Sequence, residues 1–548
     1  MKRILAASGL AFTLVGGALA PSVHATPRTA SCAELEGVKI PAAAIGMPTT
    51  GAEVTSARTV GASGDGPTAI GSYCQVDAAI HPVDPSAPDI EMRVALPDQW
   101  NNRAMMFGGG GYDGAIPDVT GNVPYGPGDR RTPLGRGYAT FASDSGHQAA
   151  GGSSLDGSFG VNDEAVRNFA GDALKKTRDT AVFLLGRHYG VAKPAHSYFA
   201  GGSSGGREAL AVAQRWPTDF DGVISAYPAW NAATLDLFFG YEAQVMSKPG
   251  AFPGPAQQAL LYRSVISACD GGDGLRDGVV SDEAGCHFDP RTLRCPEDVE
   301  SADTCLSDEQ IRAIEAVSSP VRWKRLASGE TGYPGIPYLS GANMATPVLG
   351  QGTQAPANPM PATSGYGVQF WEQWVKHFVT RDPAYNSLDV DPVHPGKWRQ
   401  RISELSALQD VNDPDLSAFA RAGGKLLLIH GTADEIVSYH STVDYYKRVR
   451  KTVGGKATDR FARLYLVPGA NHANFLPAYA ASWDSVSALE DWTDQGKAPR
   501  HPVVTDANAA NKGRTRPLCA YPTWPHYAGT GDPQSAASFT CRESSGRP

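Results

Sequence analysis

The chain is 548 residues long, more than one simple core holds, so two or three units are expected. Its composition, 41% hydrophobic and 19% charged, is that of a globular protein. A net charge of -8 and a pI near 5.9 argue against nucleic acid or an anionic membrane surface as a partner.

The chain opens with Lys2 and Arg3, an apolar run over 4–20, and Val23-His-Ala25 as a small-residue cleavage pattern. This predicts a signal peptide over 1–25. A transmembrane anchor is the weaker reading, because Gly9, Gly16 and Gly17 interrupt a run already short for a bilayer. The product is therefore expected to be secreted or periplasmic. Eight cysteines in an exported chain predict four structural disulfides. Connectivity does not follow from sequence in general, but these cysteines form local couples: Cys32 with Cys74, Cys269 with Cys286, Cys295 with Cys305, and Cys519 with Cys541.

Residues 90–96 alternate and predict an outer strand of a sheet. Residues 103–107 predict a second strand, which runs into Gly108-Gly-Gly-Gly111. A flexible linker is the alternative, yet linkers rarely follow a buried strand so abruptly. In a serine hydrolase such a loop supplies a backbone N–H to an oxyanion, and Gly110 or a neighbouring glycine is the candidate. Residues 137–147 form another strand and turn. Asn162 is a candidate N-cap for a long amphipathic helix reaching about Tyr189.

Gly201-Gly-Ser-Ser-Gly205 fits the G-x-S-x-G pattern of a nucleophile elbow, with Ser203 as the nucleophile. The pattern alone is weak in a chain with 61 glycines. Its context is stronger, since 196–200 reads as a short buried strand and 207–215 is built from good helix formers. A further buried strand follows at 221–226. Strands alternating with helices in this way predict a mostly parallel sheet covered on both faces.

From 230 to 401 the rhythm breaks. This stretch holds the cysteines from 269 to 305, one helix opened by the capping box Ser307-Asp-Glu-Gln310, and a Pro/Gly-rich passage over 346–365. It reads as an inserted lid domain that divides the core into 26–229 and 402–548. Phe370, Trp371, Trp374 and Phe378 recur at helical spacing, either as lid core or as a stacking surface for an aromatic group. Arg381 is one candidate for holding a substrate carboxylate.

The alternation resumes with a strand over 424–431, a helix near 443–451 and a strand over 461–467. A serine hydroxyl needs a base, and the base an orienting acid. The loop after the first of these strands offers Asp434 and the loop after the second offers His472, giving the order Ser, Asp, His of α/β-hydrolases. Asp434 alone reads equally well as an Asx-turn residue. Of the rivals, His196 and His430 read as core histidines, Asp444 lies on a helix, His147 is a candidate lining residue, and Asp144 and His440 remain open.

Four segments together carry a resemblance to the tannase and feruloyl-esterase family of α/β-hydrolases: Gly201 to Arg207, Gly431 to Asp434, Val467 to His472, and Arg516 to Pro522 with Gly529 to Asp532 and Cys541. The resemblance implies an α/β-hydrolase fold with a large inserted lid domain, and a Ser203, His472, Asp434 triad. It also implies that the Ser204 amide joins Gly110 at the oxyanion, and that the substrate is a small-molecule aromatic ester of hydroxycinnamate, gallate or terephthalate type. A non-catalytic binding protein or a serine peptidase on the same fold are the competing readings. It further implies structural calcium at Cys269-Asp-Gly-Gly-Asp-Gly-Leu-Arg-Asp-Gly-Val279. Asp270, Asp273 and Asp277 there are hard oxygen donors, and the carbonyls of Leu275 and Val279 can complete a shell. One departure stands out: where the family usually has a disulfide between the residue before the serine and the residue after the histidine, this chain has Gly202 and Ala473.

Overall fold

The computed structural model describes residues 29–297 and 303–543, so the expected leader over 1–25 lies outside the described residues. Ten strands form one sheet. Its first four are β1 (Lys39–Ile40), β2 (Gly51–Val60), β3 (Tyr73–His81) and β4 (Ile90–Pro97), which pair antiparallel in chain order. The next four are β5 (Arg103–Phe107), β6 (Ala139–Ser143), β7 (His196–Gly202) and β8 (Gly222–Ala226). After a two-stranded ribbon, β9 (Val321–Arg322) with β10 (Gly332–Tyr333), the sheet is completed by β11 (Lys425–Gly431) and β12 (Ala462–Val467). The order is β1-β2-β3-β4-β6-β5-β7-β8-β11-β12, with every pair from β6 to β12 parallel.

β4 was expected at an edge and lies inside, hydrogen-bonded to β3 and β6. Its alternation has another cause: Glu91 is solvent-facing, and Arg93 reaches Asp77 on β3 at 2.6 Å, so one face is polar without the strand being an edge. β6, β8 and all but the first residue of β11 are buried, as expected where helices cover both faces.

The helix expected to run from Asn162 to Tyr189 is two helices. Asn162 caps the first, Asp163–Arg167, by accepting from the amides of Glu164 and Ala165 at 2.9 Å each. A wide turn at 168–172, with Gly171 at φ 136°, then separates it from Ala173–Tyr189.

Between β8 and β11 none of the described residues joins the large sheet. Helices Ala232–Met246, Pro255–Cys269, Asp308–Val317, Tyr366–Gln373 and Arg399–Gln409 instead build a second apolar core containing Phe238, Ile314, Trp371, Trp374 and Phe378, all fully buried. The capping box at Ser307 and Gln310 is formed. The entry and exit of this region are joined: Val411 donates its amide to the Trp230 carbonyl at 2.7 Å, and Asn231 pairs with Asp410. Asp410 also accepts from the amide of Ala233 at 3.0 Å and the hydroxyl of Thr234 at 2.9 Å, holding the first helix by its N-terminus.

The C-terminal segment adds β13 (Ala481–Ser482), β14 (Val503–Asp506) and β15 (Thr515–Pro517), then the hairpin β16 (Thr523–Tyr527) with β17 (Phe539–Glu543). All four cysteine couples are bridged, with Cα separations of 5.5, 5.4, 4.8 and 5.6 Å in chain order. Among the described residues no helix is long and apolar enough to cross a membrane.

Candidate active site

The parallel strands β5, β7, β11 and β12 deliver their C-terminal loops to one place, where open α/β sheets bind ligands. β7 ends at Gly202, Ser203 sits at φ 59° and ψ -122°, and a helix begins at Ser204. A non-glycine residue in that region is strained, and the surroundings hold it there. The Ser203 amide donates to the Ala226 carbonyl and its carbonyl accepts from Ala229, at 3.1 Å each. The turn is tight enough that a β-carbon on Gly201 would come within 2.3 Å of the Gly205 carbonyl. That close approach is why the pattern is written in glycine.

His472 follows β12 in a short turn. Its Nε2 lies 3.0 Å from Ser203 Oγ and its Nδ1 2.8 Å from Asp434 Oδ2. Asp434 forms an Asx-type turn and meets the imidazole at the same time. Oδ1 closes an Asx-type turn by accepting from the amides of Ile436 at 2.9 Å and Val437 at 2.7 Å, which fixes the carboxylate and aims Oδ2 at the imidazole. His430, expected as a satisfied core histidine, is fully buried and also reaches Asp434 Oδ2 at 3.1 Å, while its Nδ1 meets Thr442 Oγ1 at 2.9 Å. Burial alone would raise the Asp434 pKa, but the charge of His472 and the hydrogen bonds of both histidines outweigh it and hold the carboxyl well below its ordinary range.

The glycine loop packs on the helix that follows Ser203. The Gly108 amide donates to Ala200, the Gly109 amide to Glu208 at 3.0 Å, and Gly205 donates back to the Gly109 carbonyl at 3.1 Å. With those amides engaged, Gly110 and Gly111 carry the loop's remaining glycine N–H groups, and both line the groove that contains Ser203 and His472. Ser204 Oγ ties the loop down by donating to the Gly111 carbonyl at 2.6 Å. Beneath the loop, Asp113 abuts Glu208; both are buried, and both carboxyls are pushed up, mainly by that burial. Sequence reading missed this pair, because a Glu in the first turns of a helix ordinarily faces water.

Tyr227 was missed as well. Its ring meets His472 edge-on with centroids 4.8 Å apart, and a β-carbon on Gly202 would lie 2.4 Å from its Cζ. The space that a side chain on residue 202 would need is filled by tyrosine. Tyr125, packed against Tyr227, donates its hydroxyl to the Asn471 carbonyl at 3.0 Å, next to the histidine.

Beside Ser203 lies a narrow, partly open cavity of about 40 Å³, walled by Tyr112, Phe169, Leu235, Phe239, Phe370 and Val437. Of the aromatic stripe, Phe370 reaches this cavity, whereas Trp371, Trp374 and Phe378 are lid core. The difference is the face of the helix that each presents.

The remaining sequence candidates lie elsewhere. His147 is buried and stacks on Phe159 at 3.6 Å instead of lining the groove, and burial pushes its pKa down to about 4. Asp144 accepts from the Glu91 and Gly146 amides, and burial pushes it up to about 7. His196 neighbours Asp494 at 3.4 Å, His440 neighbours Glu283 at 3.6 Å, and Arg381 pairs with Asp163.

At 269–279, Asp270 accepts from the amides of Asp277, Gly278 and Val279 at 3.1–3.2 Å, and Asp273 from the Leu275 amide at 2.9 Å. Asp277 Oδ2 meets Arg516 Nη2 at 2.5 Å. Among the described residues no three acid, cysteine or histidine side chains converge as a ready metal cage. The loop is thus held by its own amides and by the C-terminal segment.

The family model for tannase and feruloyl esterase matches residues 74–542. The chain is 36% identical over 561 residues to an uncharacterized esterase of Agrobacterium fabrum, covering 99% of each chain. It is 30% identical over 524 residues to a mono(2-hydroxyethyl) terephthalate hydrolase of Piscinibacter sakaiensis, covering 86% of this chain and 85% of that protein. Among solved structures it is similar to feruloyl esterase B from Aspergillus oryzae, with a TM-score of 0.74 at 23% identity over 90% of this chain and 98% of that one.

Proposed function

Because the chain belongs to the tannase and feruloyl esterase family of carboxylic ester hydrolases, we propose that it is an exported serine esterase that cleaves esters of aromatic acids through Ser203, His472 and Asp434. The observation that carries this reading is the unbroken run Ser203 Oγ, His472, Asp434, with separations of 3.0 and 2.8 Å.

In this mechanism Ser203 Oγ attacks the ester carbonyl carbon while its proton passes to His472 Nε2. The negative charge that develops on the carbonyl oxygen is met by the amides of Ser204 and Gly110, held rigid before the substrate arrives. The tetrahedral intermediate collapses to an acyl-enzyme, and His472 returns the proton to the departing alkoxide. Water then repeats the sequence: His472 takes its proton, the hydroxide adds to the acyl carbon, and Ser203 leaves with the proton restored. Asp434, ionised and fully buried, keeps the Nδ1–H tautomer and stabilises the imidazolium in both halves.

The aromatic walls of the cavity beside Ser203 support an aromatic acyl group, since flat rings bury well between such side chains. Export is supported by the bridging of all eight cysteines. Calcium at 269–279 belongs to the same proposal: three carboxylates within eight residues repel one another unless compensated, and a divalent ion would compete with Arg516 for Asp277. The test of the main reading is hydrolysis of p-nitrophenyl and aromatic methyl esters by purified protein and by Ser203→Ala. The variant is expected to stay folded and lose at least about a thousandfold in kcat. Equal turnover by both would remove Ser203 from the chemistry.

A further inference from the structure

The cavity beside Ser203 is lined mostly by apolar side chains and the hydroxyl-bearing Ser203, Ser204, Tyr112 and Tyr366, with one carboxyl among them. Asp236, on the first lid helix Ala232–Met246, lines it. The residue is 5% exposed, and no described residue hydrogen-bonds its carboxyl. Its neighbour Asp410 is the contrast, with its oxygens spent on the start of the same helix. A carboxyl without a protein partner at the wall of a cavity keeps its hydrogen-bonding capacity for whatever enters.

The surroundings say what form the group takes. Burial and then the charge of Asp410 push its pKa well above the ordinary carboxyl value, and the opposing pull of Arg207 does not offset them. Arg207 lies over the Phe169 ring at 4.4 Å and is not among the residues that line the cavity. That shift favours the protonated carboxyl, which presents one O–H donor and one carbonyl acceptor to the cavity.

We propose that Asp236 is the specificity-determining residue of this cavity, pairing with a hydroxyl on the aromatic ring of the acyl group. This rests on the reading of Ser203 as an ester-cleaving nucleophile. A phenolic hydroxyl complements a neutral carboxyl, donating to its carbonyl and accepting from its O–H. A ring carboxylate fits less well: it can use only the O–H of the neutral carboxyl, and among the described residues no cation lines the cavity to offset the cost of taking its charge out of water. The preferred substrates are then esters of hydroxylated aromatic acids, ahead of those with a bare ring and ahead of terephthalate monoesters.

The experiment compares kcat/KM for methyl p-coumarate, methyl cinnamate and mono(2-hydroxyethyl) terephthalate in the parent, Asp236→Leu and Asp236→Asn, with p-nitrophenyl acetate as a small ester that does not fill the cavity. A site built to bond a hydroxyl rejects the analogue lacking it, so the parent is expected to favour p-coumarate over cinnamate by about tenfold or more. Asp236→Leu should bring that ratio to about threefold or less by loss on p-coumarate, and Asp236→Asn, which keeps a donor and an acceptor, should fall between. Should Asp236→Leu fail to fold, the ratio in Asp236→Asn decides, because the amide matches the carboxyl in shape. A parent ratio near one, a preference for the terephthalate ester, or a ratio unchanged in the variants overturns the assignment while leaving the esterase reading intact. Loss of the esterase reading has its own signature: the parent cleaves none of the four esters, p-nitrophenyl acetate included, and the Asp236 assignment falls with it.

Discussion

Gly202 and Ala473 flank the proposed nucleophile and base, and replacing both with cysteine tests what holds their loops together. In the chain-entropy model a disulfide closing about 270 residues stabilises by roughly 5–6 kcal/mol. The structure predicts that this gain is not realised. A β-carbon at 202 would meet Tyr227 at 2.4 Å, so the ring has to retreat by about 1 Å to reach an ordinary contact of ~3.5 Å. Tyr227 is buried among Tyr125, His472 and the β8 to β11 junction, which leaves it nowhere to go without moving the histidine. Gly202→Cys with Ala473→Cys is therefore expected to fold with two free thiols, a lowered melting temperature and impaired ester turnover. Adding Tyr227→Ala removes the obstacle at a cost of about 3–5 kcal/mol for the lost ring, close to what the bridge returns. The triple variant should accordingly oxidise and melt near the parent. The assay is thiol counting on denatured protein, with thermal melts before and after reduction. An oxidised, fully active double variant that retains Tyr227 would refute the argument that the ring occupies the bridge's place.

Three further outcomes are expected. Glu208→Ala, which takes the acceptor from the Gly109 amide, should lower kcat by about 10–100-fold as the oxyanion loop drifts, whereas Glu208→Gln, which keeps an acceptor, should cost far less; steady-state kinetics on one ester compares them. His147 takes up its proton near pH 4 when folded and near 6.5 when unfolded, so the unfolded state binds more protons between those values. Stability is complete above pH 6.5 and is lost as pH falls toward 4, by up to ~3 kcal/mol, and His147→Gln should flatten that part of a urea-midpoint profile. Chelator is expected to lower the melting temperature by a few degrees and added calcium to restore it, because a ligand bound only to the native state stabilises it. An unchanged melt with no calcium by elemental analysis would remove calcium from the proposal.

The legible parts of this molecule were those where a local backbone demand and a chemical demand fall on the same residues. The elbow is one: its glycines answer a close approach and its serine answers the proposed chemistry, so a short run of sequence carries both. Asp434 and His472 were readable because each follows a buried strand with a short polar loop. The illegible parts are those in which a side chain's partner is distant in sequence. Nothing near Glu208 signals that it turns inward to Gly109, and nothing near Tyr227 signals that it fills the space beside Gly202. β4 was read as an edge because polar residues alternate along it. Whether alternation means solvent or a cross-strand ion pair depends on Asp77, which only the fold brings alongside.

The neck at Trp230, Asn231, Asp410 and Val411 has a bearing on inheritance. A region whose two ends are bonded to each other enters and leaves the frame at one covalent junction, although side chains elsewhere also tie the two together, among them Tyr338 to the Glu435 carbonyl and Arg448 to Glu330. Leu235, Asp236, Phe239 and Phe370 lie inside that junction, and Ser203, Asp434 and His472 outside it. A gene segment recombined at 230 and 411 would transplant much of the cavity wall beside Ser203 while leaving the proposed reacting groups in place. Selection can alter what the protein accepts and how it reacts as two separate characters.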